Sequence, residues 1–302
     1  MIDQIRIATR RSPLAMWQTN YIADALRHAH PGLDVEVVGI DTTGDKIRDK
    51  PLPKIGTKGL FTRELEDALL SGAVHLAVHS LKDLPTTLPP GLAYGGSPTR
   101  AAATDCLVMF RHDSLDALPD DAVVATGSVR RRAQLRSLKP GVRFEELRGN
   151  IDTRLRKLEE QGWDAIVMAT AALHRLGRPE LVSAELDPAT MVPAPGQGAI
   201  GLEVAEDADD VRELLAAILD QPTMTAVSAE RDFMRALEGG CSVPLGAHSR
   251  KVGTDWEFHG WIGSPGDNRV MRDVARGPAP GPLARAMAED FLRRGAAEVL
   301  GR

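Results

Sequence analysis

The stretch that decides the fold is Val74-His75-Leu76-Ala77-Val78-His79-Ser80-Leu81-Lys82-Asp83-Leu84-Pro85. Its first half is a short apolar run with β-branched residues, which predicts a buried strand that ends at Ser80. Pro85 lacks the N–H group that a central strand needs, so the chain must turn between Ser80 and Pro85. Open α/β sheets bind ligands beyond the carboxyl ends of their strands, and the pair Lys82-Asp83 lies there. We therefore treat this pair as a candidate site, with an ordinary solvated loop as the alternative.

Strands and helices alternate on both sides of this stretch. Ser12-Pro13 predicts the N-cap and first turn of a helix. Repeated strand–helix–strand order predicts mostly parallel sheets with helices packed on their faces. The C-terminal part has a different order, in which two helices precede three short strands and a last helix. Predicted strands cover residues 5–9, 35–40, 74–80, 106–110, 123–126, 144–147, 163–170, 199–204, 245–252, 256–262 and 269–274, and the last helix covers 282–300.

Composition limits the possible functions. The 302 residues are 43% hydrophobic, which is enough for two or three domain cores. A net charge of −5 and only 4% aromatic residues argue against a nucleic-acid partner. Two cysteines, Cys106 and Cys241, cannot form a disulfide framework or a four-thiolate zinc site, so no metal is expected. No signal peptide pattern and no apolar run of ~18 residues is visible, so we expect a cytoplasmic protein without membrane contact.

Basic residues recur at or just beyond the ends of the predicted strands. Because the carboxyl ends of parallel strands meet at one edge of a sheet, we expect these residues to converge on one cleft. A guanidinium group binds carboxylate or phosphate through two parallel hydrogen bonds, so the set predicts a polyanionic ligand. The residues are Arg10, Lys82, Arg130, Arg131, Arg148, Arg154 and Arg175.

Arg130 and Arg131 lie in the first turn of a helix that follows Thr126-Gly127-Ser128. Cations at a helix N-terminus oppose the helix dipole, and an anion bound there would relieve the conflict. A solvated basic face is the alternative.

Two further segments indicate a bound ligand. Residues 42–59 are rich in Gly, Pro and Lys, which predicts a mobile basic lid over an anion, and their spacing excludes a Walker loop. Gly239-Gly240 precede Cys241 and would let a bulky group reach its sulfur. A lone cysteine is more often an inert buried residue, which remains the alternative.

Six motifs occur in order along the chain: Ile7-Ala8-Thr9-Arg10-x-Ser12-Pro13-Leu14-Ala15, Lys58-Gly59-Leu60-Phe61, Val78-His79-Ser80-Leu81-Lys82-Asp83-Leu84-Pro85, Leu147-Arg148-Gly149-Asn150, Pro195-Gly196-Gln197-Gly198-Ala199 and Glu238-Gly239-Gly240-Cys241-x-Val243-Pro244. Together they resemble the porphobilinogen deaminase (hydroxymethylbilane synthase) family. Gly127 is a departure, because the family usually has a serine there. Arg11, Arg132 and Cys106 have no family role that we carry over.

The resemblance implies an α/β fold with two periplasmic-binding-protein-like α/β domains, a double-crossing hinge between them and a small C-terminal α+β domain. Domain 1 would comprise residues 1–98 and 199–216, domain 2 residues 104–192, and domain 3 residues 221–302. The hinge crossings would lie near residues 96–104 and 193–198.

The resemblance also implies a reaction. The family condenses four porphobilinogen molecules head to tail onto a dipyrromethane cofactor, with loss of ammonia, and releases linear hydroxymethylbilane. The cofactor would be attached to Cys241 through a thioether and bound by Ser80, Lys82, Thr126, Ser128, Arg130 and Arg131. The substrate-binding residues would be Arg10, Ser12, Arg148, Arg154, Arg175, Gln197, Lys54 and Lys58.

The chemistry of the chain fits this reaction. Each pyrrole carries an acetate and a propionate, and two like charges ~4 Å apart repel by roughly 4 kcal/mol at an effective dielectric of ~20, which the arginines would offset. Loss of ammonia leaves a cationic azafulvene. One carboxylate near it would stabilise the cation and move protons, and Asp83 is the candidate.

Two alternatives remain at this stage. A non-catalytic anion-binding protein on the same two-lobed fold would explain the arginines but not the segment around Cys241. A nucleotide-dependent transferase would explain the anion sites, but neither a Walker nor a Rossmann fingerprint is present. We expect the protein to be a monomer.

Overall fold

The structure is a computed structural model that describes residues 2–46, 61–239 and 243–302. The chain forms two compact units. The first comprises Met1–Arg100 and Ala199–Met224, and the second comprises Ala101–Gly198 and Thr225–Arg302. Across the described ranges, no helix is both long and apolar enough to cross a membrane.

The described strands, in chain order, are β1 (Gln4–Arg10), β2 (Asp34–Ile40), β3 (Leu76–Ser80), β4 (Leu92–Gly96), β5 (Asp105–Val108), β6 (Val123–Ala125), β7 (Arg143–Glu145), β8 (Ala165–Ala169), β9 (Ala184–Leu186), β10 (Ile200–Ala205), β11 (Leu245–Val252), β12 (Asp255–Gly263) and β13 (Val270–Gly277).

The described helices are α1 (Pro13–Ala29), α2 (Thr43–Lys46), α3 (Arg63–Leu70), α4 (Val129–Leu138), α5 (Ile151–Glu160), α6 (Thr170–Arg175), α7 (Asp209–Ala216), α8 (Gln221–Ala236), α9 (Pro280–Arg293) and α10 (Ala296–Val299). Short 3₁₀ helices cover Leu81–Asp83 and Pro179–Leu181.

The sheet of the first unit has the strand order β2-β1-β3-β10-β4. Strands β1, β2 and β3 are parallel, whereas β10 runs antiparallel between β3 and β4. Ile5 and Ile7 of β1 pack with Ile22 and Leu26 of α1, and all four side chains are fully buried. The parallel strands are therefore held by an apolar helix face, and their carboxyl ends meet at one edge.

The sheet of the second unit has the order β7-β6-β8-β5-β9. Strand β6 is parallel to β7 and β8, and β5 is antiparallel to β8 and β9. Each of the three parallel strands is followed by a helix, α4, α5 or α6. The N-termini of these helices consequently lie at one edge of the sheet, as the sequence predicted.

The C-terminal region of the second unit is a three-stranded antiparallel sheet, β11-β12-β13, with helices on one face. Phe233 of α8 makes edge-to-face contacts with Phe258 and Phe291, at ring centroid distances of 5.5 and 5.7 Å. Within the same unit, Trp261 of β12 packs with Ala133 and Val192. The α/β class with a small C-terminal α+β region is thereby confirmed.

Two differences from the sequence prediction have clear causes. A single helix was predicted over residues 282–300, but α9 ends at Arg293 and α10 begins at Ala296. Gly295 between them has a φ of 88°, a left-handed conformation that ends helices and favours glycine. Strand β4 was missed because Gly95 and Gly96 have low strand propensity, and it forms through its pairing with β10.

Candidate active site

Asp83 lies in the 3₁₀ turn that follows β3. Leu81 and Leu84 are almost fully buried at 1% exposure, and the Leu81 N–H donates to the Ala199 carbonyl oxygen at 3.0 Å. These contacts anchor the turn and leave Lys82 half-buried and Asp83 exposed. Within the described part of the chain, the Asp83 carboxylate has no hydrogen bond or ion pair, so it is available to a ligand.

The other predicted residues of the first unit lie at the same sheet edge. Ser80 ends β3, and its hydroxyl accepts a hydrogen bond from Gln18 Nε2 at 3.0 Å. Arg10 ends β1 and stacks on the Phe61 ring, with 4.3 Å between its guanidinium carbon and the ring centroid. Ser12 caps α1 by accepting from the Ala15 N–H at 3.4 Å. The structure therefore brings Arg10, Ser12, Ser80, Lys82 and Asp83 to the carboxyl ends of β1 and β3.

A buried polar cluster lies beside this edge. His79 Nε2 is 2.9 Å from Glu203 Oε2, and this pair joins β3 to β10. Glu66 of α3 is also buried. Burial raises the pKa of the Glu66 carboxyl, and the negative charge of Glu203 adds to the increase.

We expect Glu66→Gln to raise the free energy of unfolding at neutral pH, because glutamine removes a buried charge that burial and Glu203 disfavour. A carboxyl whose pKa is raised by folding stabilises the native state fully only below its unfolded pKa, and this contribution is lost as the pH rises through the folded pKa. Denaturant titrations at pH about 4.5 and about 8 measure the difference, with the exposed neighbour Asp67→Asn as control. If Glu66→Gln is less stable than the parent by the same amount at both pH values, the prediction is contradicted.

In the second unit, two of the predicted arginines, Arg130 and Arg131, bind a buried carboxylate, Asp105. Arg130 Nη1 donates to Asp105 Oδ2 at 2.7 Å, and Arg131 donates to Oδ1 from Nε and Nη2 at 3.0 and 2.7 Å. Gln197 Nε2 also donates to Oδ1, at 2.9 Å. Burial alone would raise the pKa of the Asp105 carboxyl, but the charges of Arg130 and Arg131 outweigh it and hold this pKa well below its usual range.

The burial of Arg130 and Arg131 excludes a solvated basic face for these two residues. Their exposed fractions are 4% and 7%, and they also donate to the carbonyl oxygens of Val192 and Val167 at 2.7 and 3.0 Å. Two guanidinium groups share one carboxylate, so the cluster keeps one surplus positive charge. This surplus fits a cofactor that carries carboxylates.

Thr126 and Ser128 shape the turn before α4. Ser128 Oγ accepts from the Arg131 N–H at 3.4 Å and thereby caps the helix. Thr126 Oγ1 accepts from the Ser128 N–H at 3.2 Å. The two hydroxyl groups fix the helix N-terminus at the end of β6, where backbone N–H groups favour an anion.

The remaining arginines of this edge differ in exposure. Arg148 follows β7 and is half-buried, with its Nε 3.2 Å from Glu146 Oε1. Arg154 is also half-buried, and its Nε donates to the Gly149 carbonyl oxygen at 2.8 Å. Arg175 is buried, and its Nη2 donates to the Gly198 carbonyl oxygen at 2.7 Å. Of these three, Arg148 and Arg154 are the ones that solvent reaches more readily.

Three predicted residues, Lys54, Lys58 and Cys241, lie outside the described residues, as does most of the segment predicted to form a lid. Within the residues that are described, no group of three or more His, Cys, Asp or Glu side chains is arranged to hold a metal ion.

Sequence reasoning missed Asp105 and Gln134. Gln134 is buried, accepts from the Val192 N–H at 2.7 Å and donates to the Val192 carbonyl oxygen at 2.9 Å. The available signal for Asp105 was a charged residue at the start of an apolar strand, which requires a buried partner.

Two family models match most of the chain. "Porphobilinogen deaminase, dipyromethane cofactor binding domain" matches residues 5–213. "Porphobilinogen deaminase, C-terminal domain" matches residues 224–290. Both matched ranges include residues of the second unit.

Among solved structures, the chain is similar to the methionine-binding protein MetQ, with 16% identity and a TM-score of 0.44 over 73% of this chain and 92% of that one. It is also similar to the VFT2 domain of Bordetella pertussis BvgS, with 17% identity and a TM-score of 0.42 over 76% of this chain and 92% of that one.

Curated relatives cover the whole length. The chain is 46% identical to a porphobilinogen deaminase of Stenotrophomonas maltophilia over 301 residues, which is 99% of both chains. It is 45% identical to one from Maridesulfovibrio salexigens, over 99% of this chain and 98% of the relative. A relative from Roseiflexus with the same name is 46% identical over 302 residues. The chain therefore belongs to the porphobilinogen deaminase family.

Proposed function

We propose that this chain joins four molecules of porphobilinogen head to tail, with loss of one ammonia at each step, and releases linear hydroxymethylbilane. Membership of the family over residues 5–213 and 224–290 carries the proposal. When bound, the dipyrromethane cofactor supplies the terminal pyrrole to which the first substrate is joined. The alternative, a non-catalytic anion-binding protein, is supported by a likeness of fold only.

The arginine edge of the second unit supports this proposal. A growing chain of pyrroles accumulates carboxylates, and the edge supplies guanidinium groups for them. We assign the cofactor carboxylates to Ser80, Lys82, Thr126, Ser128, Arg130 and Arg131. We assign the substrate carboxylates to Arg10, Ser12, Arg148, Arg154, Arg175, Gln197, Lys54 and Lys58.

The assigned arginines act in two ways that follow from their burial. Arg130, Arg131 and Arg175 are fixed by hydrogen bonds to Asp105 and to carbonyl oxygens, so they provide a rigid positive field. The half-buried Arg148 is accessible to a substrate carboxylate. Buried arginines that supply a fixed positive field, and a solvent-accessible arginine that meets the incoming carboxylates, suit a reaction whose bound chain lengthens at each step.

Asp83 is the proposed catalytic residue. Its exposed carboxylate lacks a protein partner among the described residues, so it is free to accept a hydrogen bond from a pyrrole N–H or an ammonium group. A carboxylate there stabilises the cation that forms when ammonia leaves, and it accepts the proton released when the new carbon–carbon bond forms. Lys82 lies in the same turn and Ser80 immediately before it, and both orient neighbouring carboxylates.

The assignment of Cys241 is tested by an intact mass measurement on purified protein. We expect a mass above that of the sequence by two linked pyrrole units, because the thioether retains the cofactor through turnover. Cys241→Ser should show the sequence mass, and Cys106→Ser should keep the added mass. An unmodified protein that turns over porphobilinogen normally would refute covalent attachment.

We also propose that the protein works as a monomer in the cytoplasm. Sedimentation equilibrium tests the first statement, because a single species near 32.6 kDa plus the cofactor is expected.

A further inference from the structure

Glu146 links two arginines at the edge where β7 ends. Its Oε2 accepts a hydrogen bond from Arg132 Nη2 at 2.6 Å, and its Oε1 lies 3.2 Å from Arg148 Nε. Arg132 is itself fixed, because its Nε donates to the Thr126 carbonyl oxygen at 2.9 Å and its Nη2 also contacts the Glu145 carbonyl oxygen at 3.2 Å. The carboxylate of Glu146 is therefore held at one oxygen and presents the other to Arg148.

Gly127 provides the space for this arrangement. A Cβ atom at position 127 would lie 3.1 Å from Glu146 Oε1 and 2.9 Å from the Leu147 carbonyl oxygen. The first of these atoms is the oxygen that contacts Arg148, and the second belongs to the peptide that leads into Arg148. A side chain at this position would push both away from their present positions.

The contact leaves the outer end of Arg148 available. Glu146 meets the guanidinium group at Nε. Across residues 2–46, 61–239 and 243–302, neither terminal nitrogen of Arg148 donates a hydrogen bond to the protein. These two nitrogens form the edge with which arginine binds a carboxylate through two parallel hydrogen bonds.

We propose that Glu146, seated in the space that Gly127 leaves, is a positioning residue that holds Arg148 ready for a carboxylate of the substrate. The inference rests on the proposed function, in which Arg148 binds substrate. It adds three residues to that site, namely Glu146, Gly127 and Arg132, and it gives a physical reason for glycine at position 127 in this chain.

Two effects of the Glu146 charge oppose each other. The carboxylate repels a substrate carboxylate on the far side of Arg148, but water reaches this pair, whose side chains are 41% and 50% exposed, and weakens the repulsion. Holding a long, flexible arginine in one conformation before binding reduces the conformational entropy that binding would otherwise cost. We expect the second effect to dominate, because Glu146 Oε1 lies only 3.2 Å from Arg148 Nε, whereas the guanidinium group separates the Glu146 carboxylate from that of the substrate.

The test compares steady-state kinetics of holoenzyme variants with porphobilinogen. Glu146→Gln should raise KM about threefold to fivefold and change kcat by less than about twofold, as loss of a half-exposed ion pair predicts. Gly127→Ala should also raise KM. The double variant should be no worse than the worse single variant, because both act through one contact. Glu145→Gln is the matched control, since it removes the same charge one residue away and its side chain makes no described contact.

The outcomes separate the inference from the function on which it rests. If Arg148→Leu raises KM but Glu146→Gln leaves KM unchanged or lowers it, the positioning role is overturned. It is also overturned if Glu145→Gln changes KM as much as Glu146→Gln does. If Arg148→Leu leaves KM unchanged, the role of Arg148 in the proposed function fails and the inference fails with it. A fall in melting temperature with no change in KM would identify a purely structural contact.

Discussion

Asp105→Asn is expected to lower the free energy of unfolding by about 3–5 kcal/mol, the range found when one partner of a buried ion pair is removed. Asparagine has nearly the same shape, but it carries no charge, and its amide nitrogen is a donor. The change would leave Arg130 and Arg131 buried with at most one shared acceptor where two carboxylate oxygens now accept from them. Few single substitutions in this chain should cost more.

The pH dependence of stability follows from the same cluster. The pKa of the Asp105 carboxyl is lower in the folded chain than in the unfolded chain, where it is about 3.9. Its contribution to stability is therefore complete above the unfolded pKa and is lost as the pH falls through the folded pKa. The difference in unfolding free energy between the parent and Asp105→Asn should shrink as the pH falls below about 4.

Denaturant titrations of the parent, Asp105→Asn and Asp121→Asn measure both effects. Asp121 is the matched control, because it pairs with Arg143 at 3.8 Å in an exposed position. Its replacement should change stability by less than about 1 kcal/mol. If Asp105→Asn unfolds at the same denaturant concentration as the control, the buried cluster contributes nothing net to the fold.

The arginine edge was predictable because strand ends are visible in sequence. Apolar or alternating runs mark most of the parallel strands, although β7 is Arg143-Phe144-Glu145, and the geometry of parallel sheets then places the residues that follow the strands together. Arg130, Arg148 and Arg175 were found in this way without any knowledge of the structure. The cations in the first turn of α4 predicted a bound anion, which stays a prediction; the negative charge that the structure places beside them is the carboxylate of Asp105.

The identity of that negative charge was not predictable. Asp105 precedes Arg130 by 25 residues and lies on an antiparallel strand, so no local pattern relates the two. A single sequence gives the number of charges but not the direction in which each side chain points. For the same reason the contact between Glu146 and Arg148 emerged only from the structure, although the two residues are close in sequence. Periodicity alone also could not reveal the role of Cys241, which rests on the resemblance of motifs.

Asp83→Asn is expected to reduce turnover by at least ~10²-fold, which is the scale of losing an acid–base group. The substitution keeps the shape of the side chain and its ability to form hydrogen bonds. It removes the negative charge that would stabilise the substrate cation, and it removes the ability to carry a proton. Asp83→Glu keeps the charge on a longer side chain and should therefore retain partial activity, with intermediates bound to the enzyme.

Stability provides the control for this prediction. Asp83 is exposed and has no described partner, so Asn should change the unfolding free energy by less than about 0.5 kcal/mol. Asp83→Asn should therefore reduce turnover with little change in stability, whereas Asp105→Asn should mainly reduce stability. Thermal melting of both variants beside the parent measures this contrast.

Single-turnover release of ammonia then separates catalysis from binding. With Asp83→Asn loaded with cofactor, substrate should still bind, because the proposed substrate-binding residues do not include Asp83. Ammonia release should nevertheless be slow at saturating porphobilinogen, and raising the substrate concentration should not restore it. A normal rate of ammonia release in a variant that melts early would make Asp83 a structural residue. A normal rate with normal melting would move the catalytic role to another carboxylate.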